Sequence, residues 1–305
     1  MINRSKTLFI SDLMLLAVAV VWGTSYGVVK SALVFYPVLG LLALRFGITF
    51  IILSPALRQL AGLSLQGFLG LLSTGFLLLA IFLSETFGLL YTSATNAAFL
   101  ISLCVMLTPL VEWFWLKRRP TQLEWLAVGI SVIGAVLMTQ HGHFQINAGD
   151  ALILLAALGR AVQVCLIKRV VQSSQIPALS VTALQSGVVA LGCILLTFLT
   201  MPAPLESLAQ ISDPTAFWGY IGYLVMACTL FAFFAQNYAI KRSNPTRVSL
   251  LMGSEPIFGG IFAMLWLSEP ITLQSWIGGV LIFASCILAS NNWSFLRLKA
   301  AAPGA

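Results

Sequence analysis

Four ionisable residues lie well inside long apolar runs of the sequence: Arg45, Glu85, Arg160 and Glu255. Charged groups are costly in hydrocarbon, so within such runs they face a packed interior or a water-filled path. The chemistry open to them is recognition of a charged ligand or carriage of a proton. A guanidinium makes charge-assisted, two-pronged bonds to a carboxylate, which makes Arg160 a candidate for holding a carboxylate-bearing ligand. Arg45, Glu85 and Glu255 are the candidates for ion pairing or for a coupling proton. The same residues would serve without function as structural pairs, Arg45 with Glu85 or Arg160 with Glu255.

Polar and aromatic side chains at comparable depth complete the candidate binding set: Trp22, Thr24, Tyr26, Gln163, Gln236 and Asn237. In Trp22-Gly23-Thr24-Ser25-Tyr26 the glycine admits close approach of a helix or a ligand, and the hydroxyls bind polar groups. Ordinary packing by small residues is the alternative there, and Tyr238 suits an interfacial position. Pro109 and Pro256 fall inside apolar runs, where a missing N–H permits a kink, so both are candidate breakers of a gating helix or simply of a bent one. Glu112 is expected to reach the aqueous boundary by extending its side chain.

Other chemistries find no support. The sequence has no phosphate-binding loop of the ATPase type, no Ser/His/Asp arrangement and no metal-ligand spacing. His141 and His143 share one loop, and Cys104, Cys165, Cys193, Cys228 and Cys286 all sit in apolar runs as small hydrophobes. No catalytic residue, metal or cofactor is expected.

These side chains must be positioned by membrane helices. Of 305 residues, 59% are hydrophobic and 8% charged, against about a quarter charged in soluble proteins, and the mean hydropathy is +0.99. The apolar runs are 12–30, 35–54, 67–90, 95–116, 122–140, 150–168, 177–200, 215–239, 246–267 and 271–290. A span needs roughly 20 such residues, so ten spans are expected, with the lipid bilayer as a partner. Thirteen of the sixteen Lys and Arg residues then fall on the side of the amino terminus and only Lys30 on the other, which places both termini in the cytoplasm. The net charge of +7 is accounted for by these loops, so nucleic acid is not an expected partner. Gly129, Gly134, Gly278 and Gly279 suit helix packing or a homodimer face.

Residues 12–30 and 150–168 align without gaps, pairing Asp12 with Asp150, Trp22 with Arg160 and Lys30 with Lys168. Ala43-Leu44-Arg45 corresponds to Ala183-Leu184-Gln185, and Tyr91 and Pro109 to Tyr238 and Pro256. Five spans per half invert the second copy, an arrangement that puts a small-molecule site near the midplane between the halves. The expected organisation is therefore residues 1–140 as one repeat, 150–290 as the inverted second and 291–305 as a cytoplasmic tail. Trp22 and Arg160 each lie about 15 Å along their helices, at mid-depth.

Several stretches resemble the EamA-type members of the drug/metabolite transporter superfamily: Trp22-Gly23-Thr24-Ser25 with Lys30, Pro37 and Leu44-Arg45-Phe46, then Leu90-Tyr91-Thr92-Ser93-Ala94, Pro109, and Glu255-Pro256 with Glu269. The resemblance implies an all-α fold of ten transmembrane helices in two inverted five-helix repeats, a central cavity, and export of amino acids or related metabolites across a bacterial inner membrane. Two departures stand out. Arg160 occupies a place where members often carry Trp, and Lys117-Arg118-Arg119-Pro120 stands where an acidic residue is common. Carriers of other specificity or direction, and a membrane binding protein with a solid centre and no transport, are the competing readings; an intramembrane enzyme lacks a catalytic cluster.

Overall fold

Apolar side chains that have nowhere to pair backbone groups except within their own helix dictate the architecture. The computed structural model describes residues 2–139, 147–172, 176–267 and 273–290, and among them no strand occurs. The helices run α1 (Ile2–Ala32), α2 (Val38–Leu53), α3 (Leu65–Tyr91), α4 (Ala94–Ser102), α5 (Cys104–Leu116), α6 (Gln122–Thr139) and α7 (Ala148–Gln172). They continue with α8 (Ala178–Thr200), α9 (Pro204–Ala209), α10 (Pro214–Val225), α11 (Ala232–Arg242), α12 (Pro245–Met252), α13 (Glu255–Leu267) and α14 (Leu273–Ser290). Local chemistry sets their starts. Ser64, Ser93, Asp213 and Asn244 each accept a backbone N–H in the following first turn, satisfying a donor that the helix itself leaves orphaned. Pro37 and Pro177 precede α2 and α8.

Seven segments are long and apolar enough to cross a membrane: Thr7–Ala32, Val38–Leu60, Leu65–Tyr91, Asn96–Leu116, Ala148–Gln172, Ala178–Thr200 and Pro214–Arg242. Large apolar side chains such as Phe9, Ile51, Phe76, Phe114, Leu195 and Phe198 point outward, while Arg45, Glu85, Glu112, Arg160, Asp150 and Glu255 are buried. That inversion of the soluble pattern belongs to a multi-pass membrane protein. α2 packs on α8, α3 on α7, and α1 on α11, α12 and α13. The core therefore lies between the first and second halves of the chain.

Three apolar runs expected to be continuous are not. The run at 95–116 turns at Leu103, where Leu103 N–H bonds Leu100 O and Met106 N–H bonds Leu103 O, both over three residues. The run at 246–267 breaks at Gly253–Ser254, and Pro256 sits in the first turn of α13, where a missing N–H costs nothing. Pro109 lies inside α5, six residues past the Leu103 turn. The two breaks abut: a Cβ at Gly253 would stand 2.1 Å from Val105 Cγ2, and Thr108 Oγ1 donates to Ser249 Oγ at 3.0 Å. The third departure is a π-turn at Met226–Phe231, inside the Pro214–Arg242 segment.

Glu112 is a correction. It does not extend to water but is fully buried, accepting from Thr246 N at 3.0 Å and Thr246 Oγ1 at 2.5 Å. It caps α12, whose orphan N–H groups favour an anion. Arg118 joins it at 3.1 Å and reaches Glu124 at 2.6 Å; burial opposes the Arg118 charge, but these two acids outweigh it and raise its pKa above the ordinary value. Gly134 and Gly278 meet each other, a Cβ at Gly134 falling 2.6 Å from Gly278 O, so these glycines join α6 to α14 within one chain. The histidine loop and the tail at 291–305 lie outside the described residues.

Candidate functional site

Helical spacing gathers the site. On α1, Trp22, Ser25, Tyr26 and Val29 share a face, and on α3 Phe82, Glu85, Thr86 and Leu89 repeat the same spacing of three, four and seven residues. With Arg45 from α2 and Arg160 from α7, these ten side chains line one cavity of about 10 Å³. That is about the room of a single water.

Arg160 is the centre. Its Nη1 donates to Glu255 Oε1 at 3.0 Å and its Nη2 to Glu85 Oε2 at 3.2 Å. Its Cζ lies 4.7 Å from the Trp22 ring centroid, close enough for a cation–π contact. Tyr26 Oη donates to Glu255 Oε2 at 3.3 Å. Glu255 reaches this point because α1 lets the start of α13 come close: a Cβ at Gly23 would stand 2.5 Å from Glu255 O. The cation has two acids, so the triad carries one net negative charge when all three groups are ionised.

Arg45 stands on another wall. Its Nε donates to Thr229 Oγ1 at 2.7 Å and its Nη2 to Cys228 O at 3.2 Å. Phe82 and Phe46 flank its Cζ at 4.9 and 5.3 Å from their centroids. Trp22 Nε1 also donates to Cys228 O, at 2.9 Å. That carbonyl belongs to the π-turn, whose looser winding frees backbone groups from the ordinary helical ladder. The expected Arg45–Glu85 pair does not form; among the described residues Glu85 pairs with Arg160.

The other candidates lie apart. Thr24 is half-buried and shares a 2.6 Å hydrogen bond with Tyr223 Oη. Asn237 Nδ2 donates to Thr182 Oγ1 and Gln185 Oε1 at 3.0 and 3.1 Å, and Gln185 Nε2 donates to Thr74 Oγ1 at 3.1 Å. Gln163 and Gln236 are buried and are not among the residues that line the cavity, and among the described residues Gln163 Nε2, Gln236 Oε1 and Asn237 Oδ1 find no hydrogen-bond partner. Tyr238 stacks under Arg242, 3.4 Å from its Cζ. Sequence reasoning noted the Ser25 hydroxyl without placing it in the binding set, and missed Thr86, which the helical spacing would have found, and the Cys228 carbonyl, which no side-chain pattern marks.

The paired positions of the two halves acquire paired contacts. Asp12 of α1 forms an ion pair with Arg247 of α12, and Asp150 of α7 accepts from Thr92 Oγ1 at 2.7 Å and Asn96 Nδ2 at 2.6 Å. Each joins one half to the other. Lys30 Nζ donates to Thr92 O at 2.7 Å and Lys168 Nζ to Ser243 O at 2.7 Å, each closing the end of a helix in its own half.

Comparison with known proteins gives the family and the likeness of the fold. The model of the EamA-like transporter family matches twice, over residues 9–140 and 147–291. A protein of Archaeoglobus fulgidus described as an uncharacterized transporter is 27% identical over 92% of this chain and 85% of its own. The uncharacterized inner membrane transporter YedA of Escherichia coli K12 is 24% identical over 95% of this chain and 94% of its own. A solved structure titled only as a crystal structure of protein superposes with a TM-score of 0.70 at 17% identity, covering 96% of this chain and 99% of that one, which speaks to the fold alone.

Proposed function

The chain belongs to the EamA-like transporter family, and we propose that it is a secondary carrier exporting amino acids or related small metabolites across a bacterial inner membrane by alternating access. The observation that carries this reading is Arg160 held between Glu85 and Glu255 at the meeting of the two halves, within a cavity. Buried ion groups of this kind are expensive in a membrane and are retained where they serve a substrate or ion path. The fold we propose for it is ten spans, with α6, α12–α13 and α14 supplying the three beyond those seven segments, as two inverted repeats with both termini cytoplasmic. The double family match and the paired Asp and Lys contacts support that reading.

The mechanism follows from competition. A cavity of about 10 Å³ admits no metabolite, so the substrate enters only when the halves part. Both edges of Arg160 are engaged, and a carboxylate reaching it must displace an acid. A substrate ammonium, by contrast, competes with a proton for Glu85, the more exposed acid at 11% against 3% for Glu255. Exchange of a proton for substrate at one carboxylate is the elementary step of antiport. A closed centre would equally suit a membrane binding protein that moves nothing; the transporter family and the printed names of the relatives favour the carrier.

Growth of cells expressing the chain, challenged with toxic levels of individual amino acids and analogues, tests the proposal. Expression is expected to protect against at least one compound, and Glu85→Gln to abolish the protection at equal protein level. No protection by the unaltered chain, together with no flux of any compound in reconstituted vesicles, overturns it.

A further inference from the structure

Among the described residues the ion pairs give Arg160 two carboxylates and Arg45 none. Both guanidinium groups are buried, and both line the same cavity. A buried charge without a counter-charge is strongly unfavourable, so Arg45 needs an explanation that Arg160 does not. Part of it lies across the cavity, where the triad carries one net negative charge. The rest lies in how Arg45 is held. Nε and Nη2 are tied to Thr229 Oγ1 and to the π-turn carbonyl of Cys228, and the Phe82 and Phe46 rings flank the group. Nη1 makes no hydrogen bond among the described residues. The side chain is thus oriented before any ligand arrives, with one edge unspent.

We propose that Arg45, not Arg160, anchors the carboxylate of the substrate, and that Glu85 receives the ammonium of the same molecule, which makes the ligand class a zwitterionic α-amino acid with an apolar side chain. This rests on the carrier reading given above. The cavity walls argue for each part. Arg45 supplies the cation and Glu85 the anion on separate helices, α2 and α3, while Val29, Phe82, Leu89 and Trp22 supply apolar surface beside them. A zwitterion adds no net charge to a cavity whose four ionised groups already balance. An amine alone would leave Arg45 without a partner, and a free carboxylate would leave the site one negative charge in excess. Arg160 then keeps Glu85 and Glu255 level with the cavity rather than binding substrate.

The experiment uses the purified full chain in proteoliposomes, with radiolabelled L-leucine, L-phenylalanine and L-valine tested in turn and the corresponding amino-acid amides as competitors. At least one of the three acids is expected to be carried, and its amide to compete about tenfold less well, the weight of roughly one charge-assisted contact. Arg45→Gln is expected to bring acid and amide to within about twofold of each other, and Arg45→Lys to restore part of the discrimination. Thr229→Val keeps the charge and loosens its tether; it is expected to raise the half-saturation concentration for the acid and leave competition by the amide unchanged. It decides the matter if Arg45→Gln yields no folded protein by gel filtration. Discrimination retained in Arg45→Gln, an acid half-saturation unmoved in Thr229→Val, or equal handling of acid and amide by the unaltered chain overturns the assignment and leaves the carrier reading standing. So does absence of flux of all three acids when other compounds are carried. Absence of any flux or protection removes both.

Discussion

At the scale of single residues, the triad is unequal in its acids, and that inequality can be measured. Glu255 is more deeply buried than Glu85 and accepts from Tyr26 as well as from Arg160. Removing one partner from a buried pair commonly costs ~3–5 kcal/mol, because it strands the remaining charge. Here either substitution leaves Arg160 with one acid, so the loss falls below that range, to roughly 1–3 kcal/mol, the desolvation penalty of groups left unmatched. Glu255→Gln is expected to lower the thermal midpoint in detergent more than Glu85→Gln does. Tyr26→Phe is expected to change it little, since a 3.3 Å hydrogen bond is long. An Glu85→Gln protein melting at or below Glu255→Gln would contradict this ranking. The four charges were legible in the sequence because apolar runs make any ionisable group conspicuous. Their pairing was legible in part: Arg160 with Glu255 forms as the sequence suggested, whereas Glu85 turns to Arg160 and not to Arg45, and the whole cluster depends on how far α13 advances toward α1. That advance is set by a backbone approach at Gly23, which spacing does not record.

At the scale of elements, the abutting breaks between α4 and α5 and between α12 and α13 are held by a missing side chain. A Cβ on Gly253 would meet Val105 Cγ2 at 2.1 Å, so one of them must yield. Overpacking of this kind costs about 1–3 kcal/mol. Gly253→Ala is expected to destabilise the protein by about that amount, and Val105→Ala in the same chain to recover most of it. Contacting residues show such coupling while distant ones add. Thermal unfolding of the two single variants and the double variant in detergent gives the cycle, and additive losses would show that the contact does not govern the packing. Helix existence was well marked by apolar length, and Pro37 and Pro177 stand directly before α2 and α8. The breaks were less so. Pro256 coincides with one, but Pro109 lies six residues beyond the other, because a proline removes a hydrogen bond to the residue four before it and the chain turns where packing permits. The π-turn at Met226–Phe231 carried no compositional sign at all, yet it supplies the carbonyl shared by Trp22 and Arg45.

At the scale of the whole molecule, two of the contacts that join the halves outside the centre involve the paired aspartates Asp12 of α1 and Asp150 of α7. Asp12 with Arg247 ties α1 to α12, and Asp150 with Thr92 and Asn96 ties α7 to the junction of α3 and α4. In the proposed inverted arrangement these two positions lie on opposite membrane faces, and each would close one route to the cavity. The structure has both tied and the cavity small, which in the proposed cycle would be the occluded state. Alternating access requires that one contact release while the other holds, and each ligand shifts that balance only through its differential affinity. Weakening one contact should therefore bias the population toward the face it guards. In a chain whose native cysteines are replaced, Ser25→Cys places a thiol in the cavity wall. Adding Asp12→Asn is expected to speed its modification by an impermeant maleimide applied from the side of residues 117–119 and to slow it from the other. Asp150→Asn is expected to do the reverse. A few-fold change in each rate suffices, corresponding to a population shift of roughly 1 kcal/mol. Opposite signs follow only if the two aspartates guard opposite faces, so acceleration from the same side by both would remove the inverted repeat and alternating access together.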